Sequence, residues 1–235
     1  MSDIEFSQRR PAGTAPEKAP LATEPIEHHA LSPADEHEAN TLGMWLFLAG
    51  EVMFFGALFT AYLVYRMIYP EIFAAASREL DPLLGGVNTA LLLTSSLTMA
   101  LAVQAALLGR RGRLALLLGL TIVLAAVFIG IKVYDYAHLI RAGFFPGSFG
   151  KTVAQSALPQ PVQLFFSLYF TMTGIHAVHM ILGILVMGII AVQAGLRRLP
   201  PPRAIPVELL GLYWHFVDIV WIFLYPLFYL IDAFG

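Results

Sequence analysis

The chain has no cysteine among its 235 residues, and only 13% of them are Asp, Glu, Lys or Arg. Without cysteine there is no disulfide, no thiolate-held metal and no iron–sulfur cluster, which removes several classes of redox enzyme. The net charge of -2 is uninformative, and we expect no nucleic-acid partner. In contrast, 58% of the residues are hydrophobic, far from the composition of an ordinary soluble domain. The composition therefore predicts a membrane protein.

The first 40 residues differ in kind from the rest. They contain no apolar run and five prolines, namely Pro11, Pro16, Pro20, Pro25 and Pro33. Such a segment cannot bury a core, so we expect residues 1–40 to form a polar arm that is disordered or extended.

Five apolar segments follow, and each is long enough to cross a hydrocarbon core of about 30 Å as a helix. They cover about 42–66, 84–108, 114–136, 163–195 and 207–233. The Gly- and Pro-containing stretch 137–162 is predicted to be a loop. The expected fold is all-α, an integral membrane bundle of five transmembrane helices over 41–235.

The basic residues predict the orientation, because Lys and Arg gather in short cytoplasmic loops. One side would hold Arg9, Arg10, Lys18, Arg110, Arg111, Arg113, Arg197, Arg198 and Arg203. The other side would hold Arg66, Arg78, Arg141 and Lys151, with Lys132 inside span three near its outer end. Nine residues against four place the N-terminus in the cytoplasm and the C-terminus outside.

Five ionisable residues fall within one layer of the membrane by counting 1.5 Å per residue. They are Glu51 in span one, His176 and His179 in span four, and His215 and Asp218 in span five. Intramembrane ionisable residues are expensive and typically face protein or a watery pocket. Glu51 is either a neutral acid bonded to a carbonyl or a proton-handling or lipid-facing group.

The remaining polar residues have simpler interpretations. His176 and His179 are candidates for helix-to-helix hydrogen bonds, and His215 and Asp218 for a pair with each other. Small polar residues in span two are expected to serve helix packing: Asn88, Thr89, Ser95 and Ser96. Haem ligation would require His176 or His179 to face His215, and the spacing argues against it. We expect neither a metal site nor a catalytic residue in this chain.

Several motifs together resemble subunit III of the haem-copper oxidases, in the expected order over about residues 37–235. The motifs are Glu51-Val52-Met53-Phe54-Phe55-Gly56, Asn88-Thr89 with Ser95-Ser96, Thr173-Gly174-Ile175-His176-Ala177-Val178-His179 with Gly183, and Tyr213-Trp214-His215-Phe216-Val217-Asp218 with Trp221. The resemblance is to the shorter bacterial form that lacks the first two of seven helices. Lys132 departs from the family, since many relatives have glutamine or glutamate there.

The resemblance implies a subunit without haem or copper of its own, these cofactors being held by partner subunits. It implies packing beside subunits I and II, bound phospholipid in a cleft that a neighbouring subunit would complete, and support of proton uptake near Glu51, His176, His179, His215 and Asp218. The expected role is the noncatalytic subunit III of a proton-pumping terminal oxidase, such as cytochrome c oxidase, in a bacterial inner membrane.

Three other interpretations of the sequence are open. Two lie close to this family: subunit III of a quinol oxidase, and an accessory subunit of nitric oxide reductase. From a different class, a small proton-coupled transporter would also place Glu, His and Asp at the membrane midplane.

Overall fold

A computed structural model describes residues 33–145, 159–196 and 205–230, which are almost entirely helical. Helix α1 covers Pro33–Ile68, the short α2 Pro70–Ser77, α3 Pro82–Leu107, α4 Arg111–Arg141, α5 Gln160–Gly195 and α6 Ile205–Tyr225, and a π-helical segment, Pro226–Leu230, continues α6. Five helices in these ranges are long and apolar enough to cross a membrane. The described part of the chain therefore confirms the all-α bundle.

Several boundaries differ from those expected. Helix α1 begins at Pro33, so the last eight residues of the expected arm are helical, while 1–32 lie outside the described residues. The expected loop 137–162 is helical up to Arg141 and again from Gln160. Its middle lies outside the described residues, as do 231–233 of the last predicted span. The eight-residue α2 was not predicted, because so short a helix has no long apolar period of its own.

Local signals begin and end the helices. Pro82 occupies the first turn of α3, and the Asp81 carboxylate accepts hydrogen bonds from the N–H groups of Leu83 and Leu84 at 2.9 and 3.2 Å. After α3, Gly109 has a φ of +67° and the Arg110 N–H bonds to the Ala105 carbonyl at 2.9 Å. This left-handed glycine closes the helix and permits the tight turn into α4.

Helices α3, α4, α5 and α6 form the core of the bundle, and α1 packs at its edge against α5 and α6. Three close approaches involve glycine, since a Cβ on Gly85, Gly183 or Gly211 would lie within 2.8 Å of a side chain on another helix. The large aromatic residues of α6 fill the interior, where Trp214 and Trp221 are fully buried. The core thus depends on bulky aromatic rings that pack closely against glycine residues.

Candidate functional site

Glu51 of α1 and His179 of α5 form a contact at the edge of the bundle. Nε2 of His179 lies 3.2 Å from Oε2 of Glu51, and the side chains remain 16% and 20% exposed, respectively. Nδ1 of His179 lies 2.9 Å from the Ile175 carbonyl oxygen, which can only accept, so Nδ1 must carry a hydrogen. Nε2 is therefore the ring nitrogen that faces the Glu51 carboxyl group.

Aromatic side chains hold His179 in this position. The Phe55 ring meets the imidazole edge-on at 5.5 Å, and the Tyr213 ring lies parallel to it at 6.5 Å. The Tyr213 hydroxyl also donates a 2.9 Å hydrogen bond to the His179 carbonyl. The imidazole is thus fixed by helices α1 and α6 while its carboxyl partner stays accessible from the surface.

His176 points elsewhere, although the i,i+3 spacing predicted that it shares a face with His179. It is fully enclosed, with ring centroids 5.3 Å from Trp221 and 5.8 Å from Phe128. Neither ring nitrogen has a hydrogen-bond partner among the described residues. The three-residue step leaves the two side chains about 60° apart around the helix axis, enough to place one imidazole in the core and the other against α1.

His215 and Asp218 do not pair with each other. Nδ1 of His215 lies 2.7 Å from the Ser96 hydroxyl on α3. The Asp218 carboxyl group is buried, and in the described ranges neither of its oxygens has a hydrogen bond of standard geometry, with Ser96 as its polar neighbour. The candidate pairing of His215 with Asp218 is therefore not formed, and both side chains lie near Ser96 of α3 instead.

The small polar residues of α3 contact α6. Thr89 accepts a hydrogen bond from the Trp221 indole at 3.1 Å, and Ser95 accepts one from the Trp214 indole at 3.2 Å. Asn88 is buried, and its Oδ1 has no partner within the described part of the chain. The interface between α3 and α6 is accordingly joined by side-chain hydrogen bonds as well as by packing.

A further polar cluster was not predicted from the sequence. Nζ of Lys132 on α4 donates to Asp135 at 2.9 Å, to the Tyr169 hydroxyl at 2.7 Å and to the Tyr229 hydroxyl at 3.0 Å. Both hydroxyls also donate to Oδ2 of Asp135, at 2.7 and 3.1 Å. The sequence did contain a signal for this cluster, because a Lys and an Asp one helical turn apart in an apolar span must find polar partners within the protein.

This Lys132 cluster joins α4, α5 and the π-helical segment. Lys132 also lies deeper than expected, since α4 continues nine residues beyond it to Arg141. The charged nitrogen sits 5.4 Å from the ring centre of Trp221, close enough for a cation–π contact. The three donor hydrogens of the ammonium match the three acceptors, so the cluster is internally satisfied.

No group of three or more His, Cys, Asp or Glu side chains is placed to hold a metal ion in the described ranges. The three intramembrane histidines go to different partners: His179 to Glu51, His215 to Ser96, and His176 to aromatic rings. Of the five ionisable residues expected in one layer, the structure therefore brings Glu51 and His179 into contact.

Comparison with known proteins places this geometry in a family. The family model for cytochrome c oxidase subunit III matches residues 29–233. The chain is 33% identical over 200 residues to cytochrome c oxidase subunit 3 of Bacillus subtilis, covering 85% of this chain and 90% of that protein.

Two further relatives carry quinol oxidase names. The chain is 33% identical over 202 residues to cytochrome bo(3) ubiquinol oxidase subunit 3 of Pseudomonas aeruginosa, covering 85% and 89% of the two chains. It is 30% identical over 203 residues to the probable quinol oxidase subunit 3 of Staphylococcus epidermidis, covering 83% and 90%. With its five apolar helices, the chain is a multi-pass membrane protein that belongs to the subunit III family of the haem-copper oxidases.

Proposed function

We propose that this chain is the noncatalytic subunit III of a proton-pumping terminal oxidase that reduces oxygen to water, with haem and copper held by partner subunits I and II. Its work would be to stabilise the catalytic subunit, to hold phospholipid and to support proton uptake. The Glu51–His179 contact is the observation that supports this role. It combines a carboxyl group and an imidazole across two helices, within the apolar part of the chain.

The chemistry of the contact suits proton handling. Since Nδ1 of His179 donates to a carbonyl, Nε2 is the ring nitrogen that would exchange a proton with Glu51. Shuttling that proton leaves the pair neutral overall, which keeps the cost of an isolated charge in the membrane low. The exposed edge of Glu51 leaves room for exchange with water or a neighbouring subunit.

The flanks of the contact suit lipid. Phe47 and Phe54 are each 45% exposed on the same helix as Glu51. Aromatic rings beside a partly exposed carboxyl group offer apolar surface to acyl chains and a polar point next to it. We propose that a phospholipid lies along this edge of α1, and that a neighbouring subunit closes the cleft around it.

The test is Glu51→Gln in the assembled oxidase, measured as turnover against pH. The amide keeps the shape and the hydrogen-bonding capacity of the side chain but removes its ionisable carboxyl group. We expect normal assembly and a modest loss of turnover, largest at high pH where protons are scarce. Thr60→Val on the same helix, which removes an exposed hydroxyl bonded to the Gly56 carbonyl, serves as the matched control. Unchanged turnover at every pH would reduce Glu51 to a structural role, and complete loss would make it an obligatory proton carrier.

The electron donor is a second question for the same complex. Relatives named for cytochrome c oxidase and for quinol oxidase match this chain at the same 33% identity. We propose cytochrome c as the donor and keep the quinol form as the second candidate. Mass spectrometry and metal analysis of the intact complex decide between them, since a copper-bearing subunit II indicates cytochrome c and a copper-free one indicates quinol.

A further inference from the structure

Beside the contact of α3 with α6 lies a groove that the bundle leaves open. It measures about 380 Å³ and is lined by Ala100, Val103, Glu208, Gly211, Leu212 and His215. Glu208, Leu212 and His215 follow one another at four- and three-residue intervals, so they share one stripe along α6. The groove therefore runs lengthwise on the outside of the bundle, away from the Glu51–His179 contact.

His215 gives this groove a polar point deep in the apolar region. It lies ten residues into α6, about 15 Å along the helix axis. The Ser96 hydroxyl occupies Nδ1, and no other hydrogen bond to the ring forms within the described ranges. The half-buried ring also lines the groove. Lipid tails have no group to bond the second nitrogen, so exposure to them would leave it unsatisfied.

Glu208 provides a second polar point in the same groove. It lies in the first turn of α6, seven residues before His215, which corresponds to two helical turns or about 10 Å. A carboxylate at this height attracts a cationic side chain from whatever fills the groove. Glu208 makes no hydrogen bond or ion pair within the described ranges.

The floor and wall of the groove are shaped for a helix. Ala100 is exposed and carries only a methyl group, and a small residue at such a place lets a second helix backbone approach closely. Gly211, the other small residue of the lining, serves the bundle itself, since a Cβ there would lie 2.8 Å from Cγ2 of Val103. Small residues combined with a hydrogen-bonding histidine are typical of helix-to-helix contacts in membranes, not of surfaces that face lipid alone.

We propose that this groove receives a transmembrane helix of another oxidase subunit. The partner helix would present a hydroxyl or amide side chain to His215 and, two turns away along its length, a Lys or Arg to Glu208. The identity of the partner as an oxidase subunit rests on the proposed function, whereas the location and the two-point chemistry rest on the groove.

A photo-crosslinking amino acid at Leu212 in the intact membrane complex tests the location. Leu212 lies in the groove, and the matched probe at Leu116 lies on α4, where the side chain is 72% exposed. We expect the Leu212 probe to yield a covalent adduct with another subunit, and the Leu116 probe to yield none with that same segment. Mass spectrometry of the adduct should identify a helix that carries a hydroxyl or amide residue and a basic residue seven positions apart.

A Leu212 probe that reacts only with lipid in an assembled complex would overturn the docking site and leave the proposed function standing. Co-purification of the unmodified chain with haem- and copper-bearing subunits tests the proposed function separately. A second variant, Leu212→Trp, fills the groove without touching the His215–Ser96 bond. We expect at least a fivefold lower yield of assembled complex than with Leu116→Trp, and equal yields would also refute the docking site.

Discussion

Replacing Lys132 by methionine should destabilise the bundle more than any other single loss of a polar side chain described above. Methionine has a similar length and fills a similar volume, but it cannot donate a hydrogen bond. The change removes the three bonds from Nζ to Asp135, Tyr169 and Tyr229. It also leaves the buried Asp135 carboxylate without its cation.

The size of the destabilisation follows from the interactions that Asp135 keeps. Removing one partner of a buried ion pair costs about 3–5 kcal/mol, because the other charge stays buried and uncompensated. The Tyr169 and Tyr229 hydroxyls still donate to Asp135 at 2.7 and 3.1 Å, so the carboxylate keeps two donors. We therefore expect the lower end of that range, about 3 kcal/mol.

The assay is SDS-induced unfolding of the purified chain in mixed micelles, followed by tryptophan fluorescence. Trp221 is a suitable reporter, since its ring lies 5.4 Å from Nζ of Lys132 and is fully buried. The double variant Lys132→Met/Asp135→Leu removes both charges, and we expect it to recover at least about 2 kcal/mol relative to the sum of the two single changes. Val133→Met on the exposed side of α4 is the control, expected within about 0.5 kcal/mol of the unmodified chain.

A loss below about 1 kcal/mol for Lys132→Met would refute this reasoning, because a lost charge-assisted hydrogen bond alone should exceed it. Additive single and double changes would likewise show that the ammonium and the carboxylate are not coupled.

Three further predictions concern packing, orientation and redox content. Gly183→Ala should lower the free energy of unfolding by about 1–3 kcal/mol in the same SDS titration, because its Cβ would lie 2.8 Å from the buried Trp214 ring. The control is Gly188→Ala on the same helix, whose Cβ meets no atom within 4 Å and which should be neutral or slightly stabilising. A C-terminal alkaline phosphatase fusion should be active, since the basic residues place that end outside the cytoplasm, and activity of only a cytoplasmic reporter would reverse the orientation. The chain purified alone should show no Soret band and no stoichiometric iron or copper, and a tightly held haem would contradict a noncatalytic subunit.

The helices were predictable, whereas the partners of their polar residues were not. Apolar runs determine where a span lies, so the predicted segments agree with α1 and α3–α6 to within a few residues at most ends. Counting residues also placed Glu51 and His179 at similar depth. Which imidazole meets Glu51 depends on the rotation of α5 about its axis, and packing against Phe55 and Tyr213 sets that rotation.

The Lys132 cluster shows a second limit of prediction from the sequence. Tyr229 reaches Lys132 from the π-helical segment, where one additional residue per turn changes the direction of each following side chain. Pro226 indicates an interruption of the helical hydrogen bonds, but it does not indicate the direction of the side chains that follow. The Lys132–Asp135 spacing indicates a pair, but only the tertiary structure shows which two tyrosines join it.

Helix α1 is attached differently from the other spans. Only 11% of the residues in an apolar 18-residue stretch of α1 are buried within the protein, against 50% for the last span. The contacts that attach it include the Glu51–His179 contact, aromatic rings and a 2.7 Å hydrogen bond from the Tyr62 hydroxyl to the Leu227 carbonyl. The bundle is therefore modular: α3–α6 close on themselves around Trp214 and Trp221, and α1 is joined to them along one edge.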